Sequence, residues 1–405
     1  MADPVRDKFV VLGVSGSIAA YKAVDLASRL TQAGAKVDVV MTASATEFIR
    51  PITFGAITHR PVVDSLWDRN SEMGVEHVGL AKRAAAVLVA PASANLLAKM
   101  AWGFADDPLL TTLLDTRAPI VVAPAMEGDM WGHPATQENI ARLRARGVHF
   151  VEPEEGRLAS GLSGRGRLAG AEAILGTLRF VLGRAGDLAG RAIVVTAGGT
   201  QEPLDPVRLL TNRSSGKMGY ALAEAARDRG ADVTLITAPT ALAPPHGARV
   251  EPVETAREML GAVGAATQGA DVLIMAAAVA DYRPANPADQ KIKKRGDAAK
   301  GLTIELVPNP DILAETPGPF VRVGFAAESQ DLLANAEEKL RRKGLDLIVA
   351  NDITAAGSGF GSDTNHVVLL GRGGEADELP TLPKREVADR ILDRVAALLA
   401  ARGQP

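Results

Sequence analysis

The 405-residue sequence contains no cysteine, which excludes disulfide bonds, thiolate metal sites and cysteine nucleophiles from this chain. It also lacks a basic excess: the formal net charge is -3 with 23% charged residues, so the composition does not favour nucleic acid or an anionic membrane. No apolar run approaches the roughly 18 residues of a membrane span, and the first residues lack the apolar core of a secretory signal. We therefore expect a cytoplasmic protein that holds any polyanionic ligand by local contacts.

The length and the apolar pattern predict two α/β domains. Domains usually hold about 100 to 200 residues, so the chain can form two cores. A short apolar run ends at Gly13 and leads through a glycine-containing loop into a helical pattern, and the same strand-to-helix pattern restarts at Arg191. We predict two doubly wound Rossmann-like domains, a flavodoxin-like domain over residues 1–186 and a nucleotide-binding domain over residues 187–405. The other predicted strands cover residues 37–41, 86–90, 120–123, 232–237, 272–275, 321–325 and 345–350.

The loops after the first-half strands carry hydroxyl residues. Ser15, Gly16 and Ser17 lie between a strand and a helix start, where free backbone N–H groups favour an anionic ligand. Similar positions follow the next strands at residues 42–44 and 91–95. Because such loops converge at one edge of a parallel sheet, a phosphate-binding site is favoured there over isolated helix caps.

His77 begins a short predicted helix, and histidine is the side chain best suited to move a proton near neutral pH. On its own, however, a histidine at such a position is more often a surface or capping residue than a catalytic one. The other five histidines show no metal-ligand spacing with it.

The first-half motifs GVSGSIAAYKA, EHVGLAKRA, APASANLLAKMAWGFADD and PAMEGDMW resemble those of the homo-oligomeric flavin-containing cysteine decarboxylases, over about residues 8–180. The resemblance implies FMN as cofactor and His77 as the active-site histidine, with Met130 shaping the substrate pocket. It implies the following cofactor contacts: Gly13, Ser15, Gly16, Ser17, Ser44, Ser93 and Asn95.

Two residues depart from that family pattern. Glu127 stands where the family usually has an asparagine that binds the substrate carboxylate, and an ionised glutamate would repel that group. Ser160 stands where many members have a cysteine that donates a proton, and a hydroxyl is a far weaker acid than a thiol. We expect Glu127 to be protonated, turned away from the substrate carboxylate, or paired with a cation, for which Arg165 and Arg167 are the candidates. Either another group supplies the proton or this module decarboxylates poorly.

The second half contains a polar, glycine-rich stretch from Thr196 to Gly219 that suits a nucleoside triphosphate, although it has neither Walker A nor GxGxxG spacing. Asp281 follows an apolar strand, where a carboxylate can bind magnesium or a base edge. Lys291 opens the charged run KIKK, which would ordinarily be a solvated loop but here fits a loop that closes on phosphates.

The ordered motifs TNRSSGKMG, AAAVADYRP, KIKK, NPDI, GFAAES and AND resemble phosphopantothenate-cysteine ligase over about residues 190–400. The resemblance implies that Asn212 converts the acyl-cytidylate to the amide and that Lys291 is essential. Asp281 is then also the candidate Mg²⁺ ligand. The implied CTP contacts are Met275, Ala276, Ala277, Asp281, Lys291, Asn309, Pro310, Asp311, Ile312, Phe325, Lys339 and Lys343.

Together the two halves resemble bifunctional bacterial enzymes of coenzyme A synthesis, which implies 4'-phosphopantothenate, L-cysteine and CTP as substrates. The family resemblance also implies a dodecamer built from decarboxylase trimers and ligase dimers. The alternatives are an active ligase fused to a flavoprotein scaffold that does not decarboxylate, or to a regulatory binding module. A nicotinamide dehydrogenase ranks below these because the glycine fingerprint is missing.

Overall fold

The computed structural model describes residues 3–67, 76–293, 302–328, 332–352 and 361–402. They form two compact units, Ala2–Gly183 and Arg184–Pro405. Lys294 of the KIKK run and Ser329 of the GFAAES motif lie outside the described residues.

The first unit is built around a six-stranded parallel sheet of order β3-β2-β1-β4-β5-β6. This is the Rossmann order, in which β1 lies between β2 and β4. The doubly wound prediction is confirmed, and without the two-residue edge strand β3 the order β2-β1-β4-β5-β6 is that of a flavodoxin-like sheet. The elements are β1 (Phe9–Val14), α1 (Ala20–Gln32), β2 (Lys36–Met41), α2 (Ala43–Thr46), α3 (Pro51–Thr58), β3 (Val62–Val63), α4 (Glu76–Arg83), β4 (Ala86–Ala92), α5 (Ala94–Trp102), α6 (Pro108–Asp115), β5 (Ile120–Pro124), α7 (Gly128–Gly132), α8 (Pro134–Ala145), β6 (His149–Phe150), β7 (Glu154–Arg157), β8 (Ser163–Arg167) and α9 (Ala171–Gly183).

Both faces of this sheet are buried under helices. On β1, Val10, Leu12 and Val14 point into one apolar core and Val11 points into the other, because successive strand side chains alternate between the faces. Continuous apolar strands of this kind are what a doubly covered parallel sheet requires.

The second unit has an eight-stranded sheet of order β13-β12-β9-β14-β17-β18-β19-β20. Its elements are β9 (Ala192–Ala197), β10 (Gln201–Asp205), β11 (Arg208–Thr211), α10 (Lys217–Asp228), β12 (Asp232–Thr237), β13 (Arg249–Pro252), α11 (Ala256–Ala266), β14 (Val272–Met275), β15 (Tyr282–Pro284), β16 (Leu306–Pro308), α12 (Ile312–Glu315), β17 (Val321–Glu328), α13 (Leu332–Arg342), β18 (Leu347–Asp352), β19 (Thr364–Gly371), β20 (Ala376–Pro383) and α14 (Lys384–Arg402).

Three parts of the fold differ from the sequence prediction. Strands β19 and β20 extend the second sheet in antiparallel fashion, joined by a tight turn in which the Gly371 N–H donates to the Glu375 carbonyl at 3.0 Å. The hairpin β7–β8 and the hairpin β10–β11, which lies within the polar stretch from Thr196 to Gly219, are not among the strands that the sequence predicts. Both hairpins are rich in charged, glycine or proline residues, so the period-2 apolar signal of a strand is absent from them.

Candidate functional sites

The first candidate site lies at the carboxyl edge of the first sheet, where the loops after β1, β2 and β4 meet. Ser15 is 1% exposed, and its hydroxyl donates to the Pro91 carbonyl at 2.8 Å and accepts from the Ser93 N–H at 2.9 Å. A Cβ atom on Gly16 would lie 2.5 Å from the Ser44 Cβ, so the close approach of these two loops requires glycine. The structure thus brings together four of the positions that the sequence favours for cofactor binding.

Thr42 belongs to the hydroxyl loop predicted after β2, although the family resemblance does not include it among the cofactor contacts. It is 8% exposed, and its hydroxyl has no hydrogen-bond partner within the described chain. It precedes α2 in extended conformation without capping that helix. A buried hydroxyl left unsatisfied costs about 1–3 kcal/mol, so a polar ligand that bonds to it would be stabilised here. Its position at a strand end was the only sequence signal.

The remaining predicted cofactor residues have varied surroundings. A Cβ atom on Gly13 would lie 2.5 Å from Leu109 Cδ1, so this glycine allows α6 to pack on β1. The Ser17 hydroxyl accepts from the amide two residues later, at 3.2 Å, near the start of α1. Asn95 is an exposed residue in the first turn of α5, and Met130 in α7 is 50% exposed.

His77 is the second residue of α4 and is half-buried. The helix is held by its apolar face, with Leu80 in the core shared with β4 and α5. Residues 68–75, which precede the helix, lie outside the described part of the chain. The hydrogen bonds of the described residues do not connect His77 with the loops around Ser15.

The two residues that depart from the decarboxylase pattern contact each other. The Ser160 hydroxyl, in the turn of the β7–β8 hairpin, donates to Glu127 Oε1 at 2.9 Å. The hairpin is also bound to the segment before Glu127, because the Met126 N–H donates to the Gly166 carbonyl at 3.0 Å. The predicted pairing of Glu127 with Arg165 is wrong, because that guanidinium forms an ion pair with the Glu152 carboxylate at 3.0 Å.

The second candidate site is a cavity of about 790 Å³ in the second unit. It lies beside β9 and β14, where the strand order of the sheet reverses and where open α/β sheets bind their ligands. Every CTP position that the sequence predicts lines it except Lys291, and Asn212 lines it as well. These lining residues are Met275, Ala276, Ala277, Asp281, Asn309, Pro310, Asp311, Ile312, Phe325, Lys339 and Lys343.

Two asparagine side chains shape one wall of the cavity. Asn212 Nδ2 donates to the Val279 carbonyl at 3.0 Å, and Asn309 Nδ2 donates to the Ala280 carbonyl at 2.8 Å. Both amides therefore fix the loop that follows β14. This loop carries Asp281, an exposed carboxylate at the cavity edge.

Charged side chains also line the cavity. Lys343 forms an ion pair with Asp311 at 3.1 Å, and Lys339 Nζ donates to the Phe325 carbonyl at 2.8 Å. Burial raises the pKa of Asp311, but the hydrogen bond and charge of Lys343 outweigh it, so the pKa lies below its usual range. The two lysines supply positive charge for a polyanionic ligand.

A further polar cluster lines the cavity, and of its members the sequence predicts Lys217, in the stretch from Thr196 to Gly219, but not Asn365 or Lys384. Lys217 Nζ donates to Asp363 Oδ1 at 2.7 Å, and the nearly buried Lys384 donates to Asn365 Oδ1 at 3.0 Å. Burial and then the charge of Lys217 lower the pKa of Lys384. Lys384 opens α14 and Asn365 lies on β19, so the antiparallel extension brings them here, which periodicity alone does not reveal.

Lys291 is exposed and is not among the residues that line the cavity. Its neighbour Ile292 is held through its backbone by Asp205 and Arg208 of the β10–β11 hairpin. Within the described ranges, no group of three or more His, Asp or Glu side chains could hold a metal ion.

Comparison with known proteins gives the family. Residues 3–182 match the family model described as Flavoprotein, and residues 188–399 match that of the DNA/pantothenate metabolism flavoprotein C-terminal domain. The coenzyme A biosynthesis bifunctional protein CoaBC of Bacillus subtilis is 45% identical over 99% of this chain and 99% of its own length. The protein of the same name from Mycobacterium tuberculosis is 46% identical over 97% of each chain.

The chain belongs to the CoaBC family. It is accordingly a bifunctional enzyme of coenzyme A biosynthesis, with a flavoprotein decarboxylase domain and a ligase domain. This confirms the resemblance drawn from the motifs.

Solved structures match each half of this CoaBC family member separately. The crystal structure of the C-terminal domain of a CoaBC protein is 42% identical, covers 53% of this chain and 98% of its own, and gives a TM-score of 0.46. The FMN-dependent cysteine decarboxylase SpaF is 33% identical, covers 42% of this chain and 97% of its own, and gives a TM-score of 0.37. In the described residues, no helix is both long and apolar enough to cross a membrane.

Proposed function

We propose that the ligase half activates 4'-phosphopantothenate with CTP and joins it to L-cysteine. The substrate carboxylate attacks the α-phosphate of CTP and pyrophosphate leaves, which gives an acyl-cytidylate. The cysteine amine then attacks the acyl carbon and CMP leaves, which gives 4'-phosphopantothenoyl-L-cysteine. The observation that carries this proposal is the single cavity that gathers Asn212 with nearly all the CTP positions.

The charges around the cavity suit this chemistry. Lys339 and Lys343 offset the negative charge of a triphosphate, and Lys291 would add positive charge as the α-phosphate is attacked. Asp281 would hold Mg²⁺ together with phosphate oxygens, because magnesium at nucleotide sites usually takes only one or two protein carboxylates. Asn212 would orient the acyl-cytidylate for attack by the amine.

We also propose that the first half binds FMN and decarboxylates the ligase product to 4'-phosphopantetheine. Bound FMN would supply the two-electron redox chemistry that removal of the cysteine carboxylate requires. The cluster of Ser15, Gly16, Ser44 and Ser93 supports the cofactor site, and the unsatisfied Thr42 hydroxyl fits a polar group of the flavin. His77 would move the proton near the reacting carbon.

These proposals are tested with the purified full chain and each substrate in turn. Pyrophosphate release should require both CTP and 4'-phosphopantothenate, amide formation should require L-cysteine, and the protein should carry a flavin spectrum with FMN released on denaturation. Pyrophosphate release with ATP but not CTP would contradict the nucleotide assignment. A colourless protein that does not bind added FMN would contradict the cofactor assignment.

One contact bears on the alternative of a scaffold that does not decarboxylate. Since Ser160 donates to Glu127, at least one carboxylate oxygen is directed to the β7–β8 hairpin rather than to a substrate carboxylate. This arrangement lowers the expected repulsion and favours an active decarboxylase. Carbon dioxide release from synthetic 4'-phosphopantothenoyl-L-cysteine separates the two functions, and no release from an FMN-loaded protein would favour the scaffold.

The family resemblance suggests how the chains assemble and where they act. We propose a cytoplasmic dodecamer of four decarboxylase trimers joined through ligase dimers. Light scattering should give a mass about twelve times the 42.2 kDa of one chain. A monomer or a simple dimer in solution would contradict this assembly.

A further inference from the structure

The buried aspartate of the β10–β11 hairpin makes more contacts than a turn needs. The Asp205 side chain is 0% exposed. Its Oδ1 accepts from the N–H groups of Val207 and Arg208, each at 2.9 Å, which is the ordinary way in which an aspartate stabilises a turn. Its Oδ2 accepts from Arg208 Nε at 3.0 Å and from the Ile292 N–H at 3.0 Å. Turn formation therefore accounts for one carboxylate oxygen but not for the other.

The second oxygen holds a residue 87 positions further along the chain. Arg208 Nη2 also donates to the Ile292 carbonyl at 2.7 Å, so both backbone groups of Ile292 are fixed by this pair. The hydrogen bond from Arg208 and then the one from Ile292 hold the pKa of Asp205 far below its usual range. The Asp205 carboxylate is therefore ionised near neutral pH, where it accepts the Ile292 N–H.

The hairpin is itself firmly anchored at its base. The Glu202 carboxylate is 2% exposed and accepts from the Ala256 N–H at 2.9 Å, and Thr211 Oγ1 donates to the Thr200 carbonyl at 2.7 Å. Asn212, which lines the cavity, follows directly after β11. One short antiparallel hairpin thus connects the cavity wall at its base with Ile292 at its tip.

We propose that Asp205 is a positioning residue for the ligase reaction, acting through Ile292 to fix the place from which Lys291 reaches the triphosphate. The proposal rests on the role given above to Lys291. Asp205 does not touch the substrate. It restricts the backbone beside Lys291, so less conformational freedom of this segment has to be lost when CTP binds.

The substitution Asp205→Asn tests this with little change in shape. The asparagine oxygen still accepts the turn amides, but its Nδ2 cannot accept from the Ile292 N–H. We expect kcat for CTP-dependent pyrophosphate release to fall by about 10- to 100-fold, the usual scale for a misplaced charged hydrogen bond. In the double variant with Lys291→Gln, activity should be no lower than in Lys291→Gln alone, because Asp205 acts through that lysine. Losses that multiply in the double variant would overturn the proposal.

Amide hydrogen exchange measures the hydrogen bond from the Ile292 N–H to Asp205 independently of enzymatic activity. The Ile292 N–H should exchange much faster in Asp205→Asn than in the native protein, while peptides from the β9 core should be unchanged. Glu202→Gln is the matched control: it removes a buried charge from the same hairpin but leaves an oxygen to accept from Ala256, so exchange at Ile292 should stay native. Unchanged exchange in Asp205→Asn would refute the contact. If Lys291→Gln alone leaves pyrophosphate release intact, the role of Lys291 fails, and with it the positioning function of Asp205, even where exchange confirms the contact.

Discussion

The two halves share a doubly wound sheet but differ in what surrounds the carboxyl edge. In the first half the edge is formed by hydroxyl and glycine residues, with Ser15 joining two loops and Gly16 allowing a third to approach. In the second half the cavity includes Lys217, Lys339, Lys343 and Lys384. The contrast fits the proposed chemistry of the two halves, since a flavin would bring its own electron-transfer group whereas a triphosphate would bring charge that the protein must offset.

The sheets differ in a corresponding way. The first is parallel throughout, and its site residues come from loops directly after strands. The second adds β19 and β20 in antiparallel fashion, and this extension contributes Asn365 and, through the helix that follows, Lys384. The two antiparallel strands added to the second sheet therefore place additional polar and charged groups in the cavity of the ligase half. Variants that affect one half and spare the other test this division.

Lys291→Gln should have the largest effect. Removing the positive charge beside the attacked phosphate should lower CTP-dependent pyrophosphate release on the order of 100-fold or more. Decarboxylation of added 4'-phosphopantothenoyl-L-cysteine should remain native, which controls for folding of the chain. Normal pyrophosphate release would remove the lysine from the mechanism, and an equal loss of both activities would show that the halves are not separable.

The positions of the buried strands and the convergence of the loops that follow them could be predicted from sequence. Strands Asp232–Thr237 and Val272–Met275 begin and end where the sequence predicts, because buried parallel strands carry a continuous apolar signal. Strand Leu347–Asp352 lies two residues later than predicted. The convergence of the loops around Ser15 and Ser93 also follows from parallel topology.

The rest depended on contacts that periodicity does not encode. The β10–β11 hairpin has an exposed strand and a proline, so the sequence favours a loop, and the bond from Ile292 to Asp205 joins residues far apart in the chain. Lys384 looks like the first residue of an amphipathic helix until β19 is placed beside it. Likewise, the sequence marks Glu127 and Ser160 as separate departures, but only the structure shows that they are partners.

His77→Asn should separate cofactor binding from proton handling in the first half. The protein should keep its flavin spectrum while carbon dioxide release falls by about 100-fold, the lower end of what a positioned acid or base contributes. Ligase activity in the same preparation should be native. A variant that decarboxylates at the native rate would show that His77 has only a structural role in α4.

Asn212→Asp should affect only the second step of the ligase. Pyrophosphate release should persist, while amide formation falls by about tenfold or more and acyl-cytidylate accumulates, because an amide that orients the acyl group becomes a repelling carboxylate. Rapid-quench analysis with labelled CTP measures both species. Equal losses in both steps would instead indicate that the residue holds the cavity wall through Val279.

The smallest expected effect concerns the ion pair of Asp311 with Lys343. Asp311 also caps α12 by accepting from the Ala314 N–H at 3.3 Å, and asparagine caps helices about as well, so Asp311→Asn removes the charge but keeps the cap. With the Asp311 side chain 45% exposed, the pair should contribute only about 0.5 kcal/mol, or roughly 1–2 °C in melting temperature for a domain of this size.

The pH dependence distinguishes this charge effect from a loss of packing. The folded-state pKa of Asp311 is lowered, so its contribution is fully present above the ordinary carboxyl pKa of about 3.9 and is lost as the pH falls through the lower folded value. The difference in melting temperature between the native protein and Asp311→Asn should therefore be constant from neutral pH down to about 5 and should shrink below about 4. Asp311→Ala, which also loses the cap, should keep a residual difference in acid. If the difference for Asp311→Asn is the same at every pH, the carboxylate charge does not stabilise this wall of the cavity, and the asparagine must act through altered packing of α12.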